Sequence, residues 1–175
     1  MSHSDSQTMQ TTIKARSVSA GPFSRIHTRT DLFADLEYAV LPESGPSVLV
    51  VFGFEGLKEH LELVSAEDGD MLLGRLAERL ASAVGTTAVL YEPRRGEFCG
   101  VFDGPLSSIK PLLVTIPSEL DEEGRSFAIR SSLGIAALPT EATDPTYAIA
   151  LADHRLRALS GNLRPAPVSH PDDPE

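Results

Sequence analysis

The sequence lacks several features that would place it in a special class of protein. Cysteine occurs once, at Cys99, so no intrachain disulfide can form and a cytoplasmic location is the simplest expectation. The longest apolar run, residues 47–54, has the length of a strand and is far shorter than the roughly 20 residues of a membrane-spanning helix. The N-terminus has no basic region followed by an apolar core, so we expect no signal peptide.

Positive charge is also scarce. The chain has 15 Lys and Arg residues against 25 Asp and Glu residues, which gives a formal net charge of -10. A protein that binds duplex nucleic acid needs a basic face to displace counterions, and an anionic membrane surface selects for the same property. We therefore expect no nucleic-acid partner and no membrane partner, and we interpret the excess of acid as a contribution to solubility.

The composition of the 175 residues predicts one folded domain between two loose ends. Hydrophobic residues make up 41% of the chain, which is enough for a core. Residues 1–20 are rich in Ser, Thr and Gln, and residues 165–175 are rich in proline and acid, so both segments are predicted to be disordered. The ordered domain is expected over residues 21–164.

Apolar periodicity predicts the elements of the first half of this domain. A helix capped by Thr30 or Asp31 is followed by a strand at 47–54, which is apolar throughout and is therefore expected to be buried on both faces. A short helix comes next. A capping box at Ser65 and Asp68 then begins a long helix. The predicted buried face of that helix consists of leucines and one valine at helical spacing: Leu72, Leu73, Leu76, Leu80 and Val84.

The second half continues with a hairpin, a helix, a strand and a helix. Residues 87–91 and 98–102 are β-type runs joined by a polar link, and residues 105–116 are predicted to be helical. Residues 127–135 alternate like a strand, and Asp144-Pro145 begins a helix to about Leu159. The order of elements predicts an α/β sandwich, with helices on a mostly antiparallel sheet of about five strands.

Several local motifs resemble those of the GGDEF domain of diguanylate cyclases, over roughly residues 21–164. Residues 53–58 resemble its Asp-x-Asp-x-Phe-Lys, residues 69–73 match its Gly-Asp-x-x-Leu, and residues 94–98 fall on the Gly-Gly-Asp-Glu-Phe signature. Residues 132–136 resemble its Ser-x-Gly-x-Ala strand, and residues 152–156 resemble the start of its last helix. The resemblance implies the palm-like α/β fold of that family.

The resemblance also implies a chemistry that this chain is not equipped to perform. Family members join two GTP molecules with two magnesium ions, which require hard oxygen ligands. Gly53 stands at the position of the first metal-binding Asp, and Gly96 stands at the acidic third position of the signature. Glu55 and Glu97 are vestigial acids that we do not expect to replace those ligands. We therefore predict no catalytic residue, no metal site and no cofactor, with Mg²⁺ and GTP relevant only if residual binding survives.

Other positions of the resemblance also depart from the family. Arg94 and Arg95 replace the two glycines that let the backbone approach phosphate, and Leu61 replaces the guanine-binding Asn. Asp70 matches the acid that accompanies this Asn in the family, and Arg164 matches a family Arg. A phosphate-contacting Lys falls on Ser160, and the inhibitory Arg-x-x-Asp site falls on Gly85 and Ala88, so both are absent.

Two interpretations stay open for the charged residues. Arg94 and Arg95 either bind nucleotide phosphates directly or are solvated residues of a polar hairpin, and the second is favoured. Asp70 either holds a guanine edge or only favours an early helix turn. We interpret His60, Glu62 and His154 as structural or surface residues rather than metal ligands, and Cys99 as a buried, inert thiol.

Three functions follow, in order of preference. The first is a catalytically inactive GGDEF-like module that works through a protein partner or as a homodimer, linked to cyclic-di-GMP regulation. The second is a sensor that binds GTP or a dinucleotide without turnover, through Asp70, Arg94, Arg95 and Arg164. The third is a residual cyclase that uses Glu55 and Glu97.

Overall fold

The computed structural model describes residues 26–124 and 127–160. The segments 1–20 and 165–175, for which disorder is predicted, lie outside these residues. The described elements are β1 (Ile26–His27), α1 (Arg29–Ala39), β2 (Ser47–Glu55), α2 (Leu57–Leu63), α3 (Ala66–Val84), β3 (Ala88–Arg94), β4 (Glu97–Asp103), α4 (Leu106–Leu120), β5 (Glu122–Glu123), β6 (Ala128–Leu138) and α5 (Pro145–Ser160). A short 3-10 turn, Pro42–Ser44, separates α1 from β2.

The six described strands form one mixed sheet in the order β1-β3-β4-β2-β6-β5. β1 pairs in parallel with β3, and the other neighbours are antiparallel. The prediction of a mostly antiparallel sheet flanked by helices is therefore confirmed. The two edge strands were not predicted, because two residues are too few to show the alternation by which a strand is recognised.

β2 lies inside the sheet and divides the core into two layers. Val48, Val50 and Phe52 point to the face that is covered by α3 and α4, and Leu49 points to the face that is covered by α1 and α5. Both sets are buried, as expected for a strand that is apolar on both faces. The predicted apolar stripe of α3 is buried against the first of these faces.

The first helix begins earlier than the sequence predicts. Its N-cap is Thr28, whose backbone N–H donates to Asp31 Oδ2 at 3.0 Å while the amide of Asp31 donates to the Thr28 hydroxyl. Asp31 thus completes a capping box from inside the helix instead of capping it. The prediction of Ser65 as the cap of α3 is confirmed, since its hydroxyl accepts from the amide of Asp68 at 3.1 Å.

α5 packs very closely on β6. A Cβ atom at Gly134 of β6 would lie 1.9 Å from the carbonyl oxygen of Ala152, so the helix can approach only because that residue has no side chain. The helix begins as predicted at Pro145, and the side chain of Asp144 accepts from the amide of Tyr147 at 2.8 Å. Within the described residues, no helix is both long and apolar enough to cross a membrane.

Candidate functional site

The tip of the β3–β4 hairpin is a turn of two residues, Arg95 and Gly96. The strands extend further than predicted, so that Arg94 and Glu97 face each other at the last paired position. Gly96 has a φ of 79°, a left-handed conformation that costs glycine little. Its amide donates to Glu92 Oε1 at 2.8 Å, which fixes the turn.

Gly53 lies near the end of β2, where the resemblance expects a metal-binding carboxylate. A Cβ atom here would lie 2.7 Å from Cδ1 of Leu156 and 3.1 Å from the hydroxyl of Ser132. The end of the Leu156 side chain on α5 would therefore have to shift to admit an aspartate at this position. A magnesium site does not fit this position, because Gly53 offers no oxygen ligand and the side chain that lies beside it is a hydrocarbon.

The two remaining acids do not compensate for this loss. Glu97 is exposed and lies with Oε1 3.7 Å from Nη1 of Arg94. Glu55 is exposed at the last residue of β2, in register with Arg130 of β6. Across residues 26–124 and 127–160, no three His, Cys, Asp or Glu side chains converge on a point where a metal ion could bind. The side chains present do not fit a pair of magnesium ions.

Two predicted nucleotide-binding residues pair with each other. Nη2 of Arg95 donates to Oδ1 of Asp70 at 2.6 Å, which ties the hairpin tip to the first turns of α3. A Cβ atom at Gly69 would lie 3.3 Å from the same guanidinium and 3.1 Å from Leu61, so this glycine leaves room for the pair. Arg94 lies beside them on the hairpin, and the fourth candidate, Arg164, lies outside the described residues.

A cleft of about 780 Å³ opens between the hairpin, the end of β2, α1, α2 and α5. Its charged lining residues are five cations and three acids: Arg29, Lys58, Arg94, Arg95, Arg157, Glu62, Glu97 and Asp153. The cleft therefore carries an excess of positive charge in a chain whose net charge is -10. Sequence reasoning did not assign Arg29, Lys58 or Arg157 to a site, although Lys58 ends the 53–58 motif, because the three residues lie on different helices.

The interior of the cleft is mostly apolar. Half-buried side chains from α1, β2 and α5 line it, among them Phe33, Val51, Ile149 and Leu156. Leu61 of α2, where the resemblance places a guanine-binding Asn, adds another hydrocarbon surface. A cleft of this size with an apolar interior and a few charged groups at its edge is typical of a small-ligand site.

Cys99 lies at the floor of this cleft and is buried. Burial raises the pKa of its thiol from 9.0 to about 12, and the carboxylates of Glu97 and Asp153 add smaller contributions in the same direction. Because the thiolate is the nucleophilic form, a thiol with this pKa is unreactive at neutral pH.

The histidines that the sequence raised as metal candidates lie apart from one another. The ring of His60 packs on Phe127, with 4.2 Å between the ring centroids, and His154 is exposed on α5. Glu62 lines the cleft without either histidine. Their interpretation as structural or surface residues agrees with this placement.

No protein-family model and no curated protein sequence matches the chain. Solved structures do match it. The GGDEF domain of YfiN from Pseudomonas aeruginosa has a TM-score of 0.69 at 16% identity, over 81% of this chain and 94% of that one. The GGDEF domain of DgcB from Caulobacter crescentus, in complex with c-di-GMP, has a TM-score of 0.67 at 19% identity, over 83% and 89%.

The chain has the fold of a GGDEF domain. A third structure, the diguanylate cyclase SiaD of Pseudomonas aeruginosa in complex with its activator SiaC, matches with a TM-score of 0.68 at 15% identity, over 90% of this chain and 63% of that one. In this GGDEF-like fold the cleft lies at the signature hairpin. The TM-scores establish the fold, while identities this low leave the function to be argued from the residues of the cleft.

Proposed function

We propose that this chain is a catalytically inactive GGDEF-like module that works through contacts with a protein partner or a second copy, in cyclic-di-GMP regulation. The observation that carries the proposal is that Gly53 supplies no metal-binding carboxylate and that the side chain of Leu156 packs over it. The core of the fold is complete on both faces of the sheet, which supports a module that is kept for its fold rather than for metal chemistry.

The solved structures support the regulatory part of this proposal by analogy. SiaD is described in complex with a protein activator, and DgcB in complex with c-di-GMP. These are properties of those two proteins. They indicate that the same fold takes part in regulated protein contacts, which is the role we assign to this chain in the absence of a metal site.

The proposal is tested first by activity. The purified chain is incubated with GTP and Mg²⁺, and separately with Mn²⁺, and the products are separated by chromatography. We expect no cyclic dinucleotide above the no-protein control. Product formation that is lost in Glu97→Gln would instead establish the residual cyclase that uses Glu55 and Glu97.

The partner is tested by affinity capture with mass spectrometry, with and without GTP. A genuine partner should also be recovered in the reciprocal experiment and should bind the purified chain. Analytical ultracentrifugation measures self-association in parallel. A chain that stays monomeric and has no reciprocally confirmed partner would contradict the proposal.

A metal-independent nucleotide sensor is the second candidate, because the cleft carries more cations than acids. Arg94 and Arg95 could bind phosphate through bidentate hydrogen bonds. However, Arg95 is already paired with Asp70, so purine recognition by that carboxylate would require the pair to open. The sensor predicts that GTP raises the melting temperature in the presence of EDTA and that Arg94→Gln removes the effect.

A further inference from the structure

The part of the cleft between α1 and α5 is more apolar than the end at the hairpin, where Arg94, Arg95 and Glu97 lie. We call it the α1–α5 lobe and define it by Arg29, Phe33, Val51, Ile149, Leu156 and Arg157. Its four apolar residues are only half-buried, so they present hydrocarbon surface to the cleft, and its two arginines are exposed. An apolar surface bounded by cations suits a ligand that combines an apolar body with a negative charge.

The charge at the edge of the lobe is available to a ligand. Among the described residues, no carboxylate lies within ion-pair distance of Arg29. The guanidinium carbon of Arg29 lies 5.6 Å from the centroid of the Phe33 ring, so the positive charge is held directly beside the apolar wall. Arg157 pairs with Asp153 through one nitrogen, and a guanidinium has five N–H donors, so donors remain for a second anion.

The acids near the lobe offset only part of this charge. Asp153 pairs with Arg157, and Glu97 pairs with Arg94 at 3.7 Å. Glu62, the third acid of the cleft, lies on α2 rather than on α1 or α5. Phosphate-rich ligands are a poor match, because the lobe offers few polar groups and four of its six residues are apolar.

We propose that the α1–α5 lobe binds a small organic anion with an apolar body, such as a medium-chain carboxylate or an aromatic sulfonate. The apolar body would lie on Phe33, Ile149 and Leu156, and the anionic group would receive hydrogen bonds from Arg29 and Arg157. No metal ion takes part. This site does not require the proposed protein contacts. If both are present, the bound ligand is a signal to which those contacts respond.

The fluorescent probe 1-anilinonaphthalene-8-sulfonate tests the proposal on the full chain, since it is itself an aromatic sulfonate and the chain has no tryptophan. We expect saturable binding at one site. The double variant Arg29→Gln/Arg157→Gln should weaken binding at least tenfold. The matched control Lys110→Gln/Arg130→Gln removes the same charge from exposed positions outside the cleft and should change affinity less than twofold.

A second variant keeps the test decisive if the arginine variant does not fold. Ala150 is exposed and lines the cleft, so Ala150→Trp adds bulk at the opening without disturbing the core. It should abolish probe binding while the far-ultraviolet circular dichroism spectrum stays unchanged. Probe binding that is the same in wild type and in Ala150→Trp would overturn the proposal.

Displacement of the probe identifies the ligand chemistry. Decanoate should displace the probe, decan-1-ol should require at least tenfold more, and GTP in EDTA should have no effect. Equal displacement by the alcohol would show a purely hydrophobic site and would overturn the role of the arginines. Displacement by GTP would assign the cleft to nucleotides, a result that is separate from whether the chain has a protein partner.

Discussion

At the scale of single residues, the contact between Gly53 and Leu156 decides what the end of β2 can hold. The glycine has no side chain, and the leucine from α5 fills the space above it. An aspartate at this position would therefore supply oxygen atoms and would also displace the end of the leucine side chain. Neither residue alone reveals this from the sequence, because they lie about 100 positions apart and meet only in the fold.

We predict that Gly53→Asp destabilises the protein by about 1–3 kcal/mol, as overpacking of a filled site does. The free energy of unfolding is measured in urea for wild type, Gly53→Asp, Leu156→Ala and the double variant. The cost of the aspartate should be smaller in the Leu156→Ala background, where its Cβ no longer meets the leucine. An equal cost in both backgrounds would show that Leu156 does not limit this position.

At the scale of elements, periodicity and capping residues predicted every described α-helix and each long strand, but they misplaced several of the ends. The apolar stripe of α3 and the start of α5 were correct, because Leu72 to Val84 and Asp144-Pro145 carry strong local signals. α4 runs to Leu120 instead of 116 despite prolines at 111 and 117. The cleft could not be derived from the sequence, since its cations belong to three separate helices and a hairpin, and only the tertiary arrangement brings them to one cavity.

The start of α1 offers a direct comparison of the predicted cap with the observed one. Thr28→Ala should cost about 1 kcal/mol of unfolding free energy, because the capping box is lost. Thr30→Ala is the matched control and should cost only a few tenths of a kcal/mol, since Thr30 is an exposed position inside the helix. Urea unfolding followed by circular dichroism measures both, and a larger effect of Thr30→Ala would contradict the assignment.

The contact between α5 and the end of β6 predicts a dependence of stability on pH. Arg155 donates two hydrogen bonds of 2.8 Å to the carboxylate of Glu141, and with the backbone N–H of Ala137 it lowers the pKa of Glu141 from 4.5 to about 2. Because the folded-state pKa is the lower one, this contribution is complete above pH 4.5 and is lost as the pH falls towards 2.

Glu141→Gln should therefore reduce stability most at pH 6 to 7, by no more than about 1 kcal/mol because the pair is partly exposed. The difference between wild type and variant, taken from urea midpoints, should shrink as the pH is lowered from 5 to 3. A difference that stays constant over that range would show that the charge of Glu141 contributes nothing.

At the scale of the whole molecule, the chain combines a strongly acidic surface with a cleft in which cations outnumber acids. Like charges on the surface oppose close approach of two molecules, while a local excess of positive charge favours negatively charged ligands over positively charged ones. From the net charge alone, we predicted that neither nucleic acid nor an anionic membrane is a partner. It could not predict a local reversal of sign, which depends on where five of the cations lie.

The reactivity of Cys99 reports on the folded molecule as a whole. The thiol is buried and its pKa is about 12, so we expect native protein at pH 8 to react with Ellman's reagent only as fast as the chain unfolds. In 6 M guanidinium chloride one thiol per chain should react at once. Rapid reaction of native protein would show that the cleft floor opens locally.

Gly134 has a consequence that reaches beyond its own strand. A single methyl group at this residue would push α5 away from β6. The helix would carry with it three residues that line the cavity: Ile149, Leu156 and Arg157. The width of the cleft is therefore set in part by the absence of a side chain at Gly134, which lies outside the cleft lining. Any homologue that carries a larger residue at this point should have a cavity of a different shape, whatever residues line it.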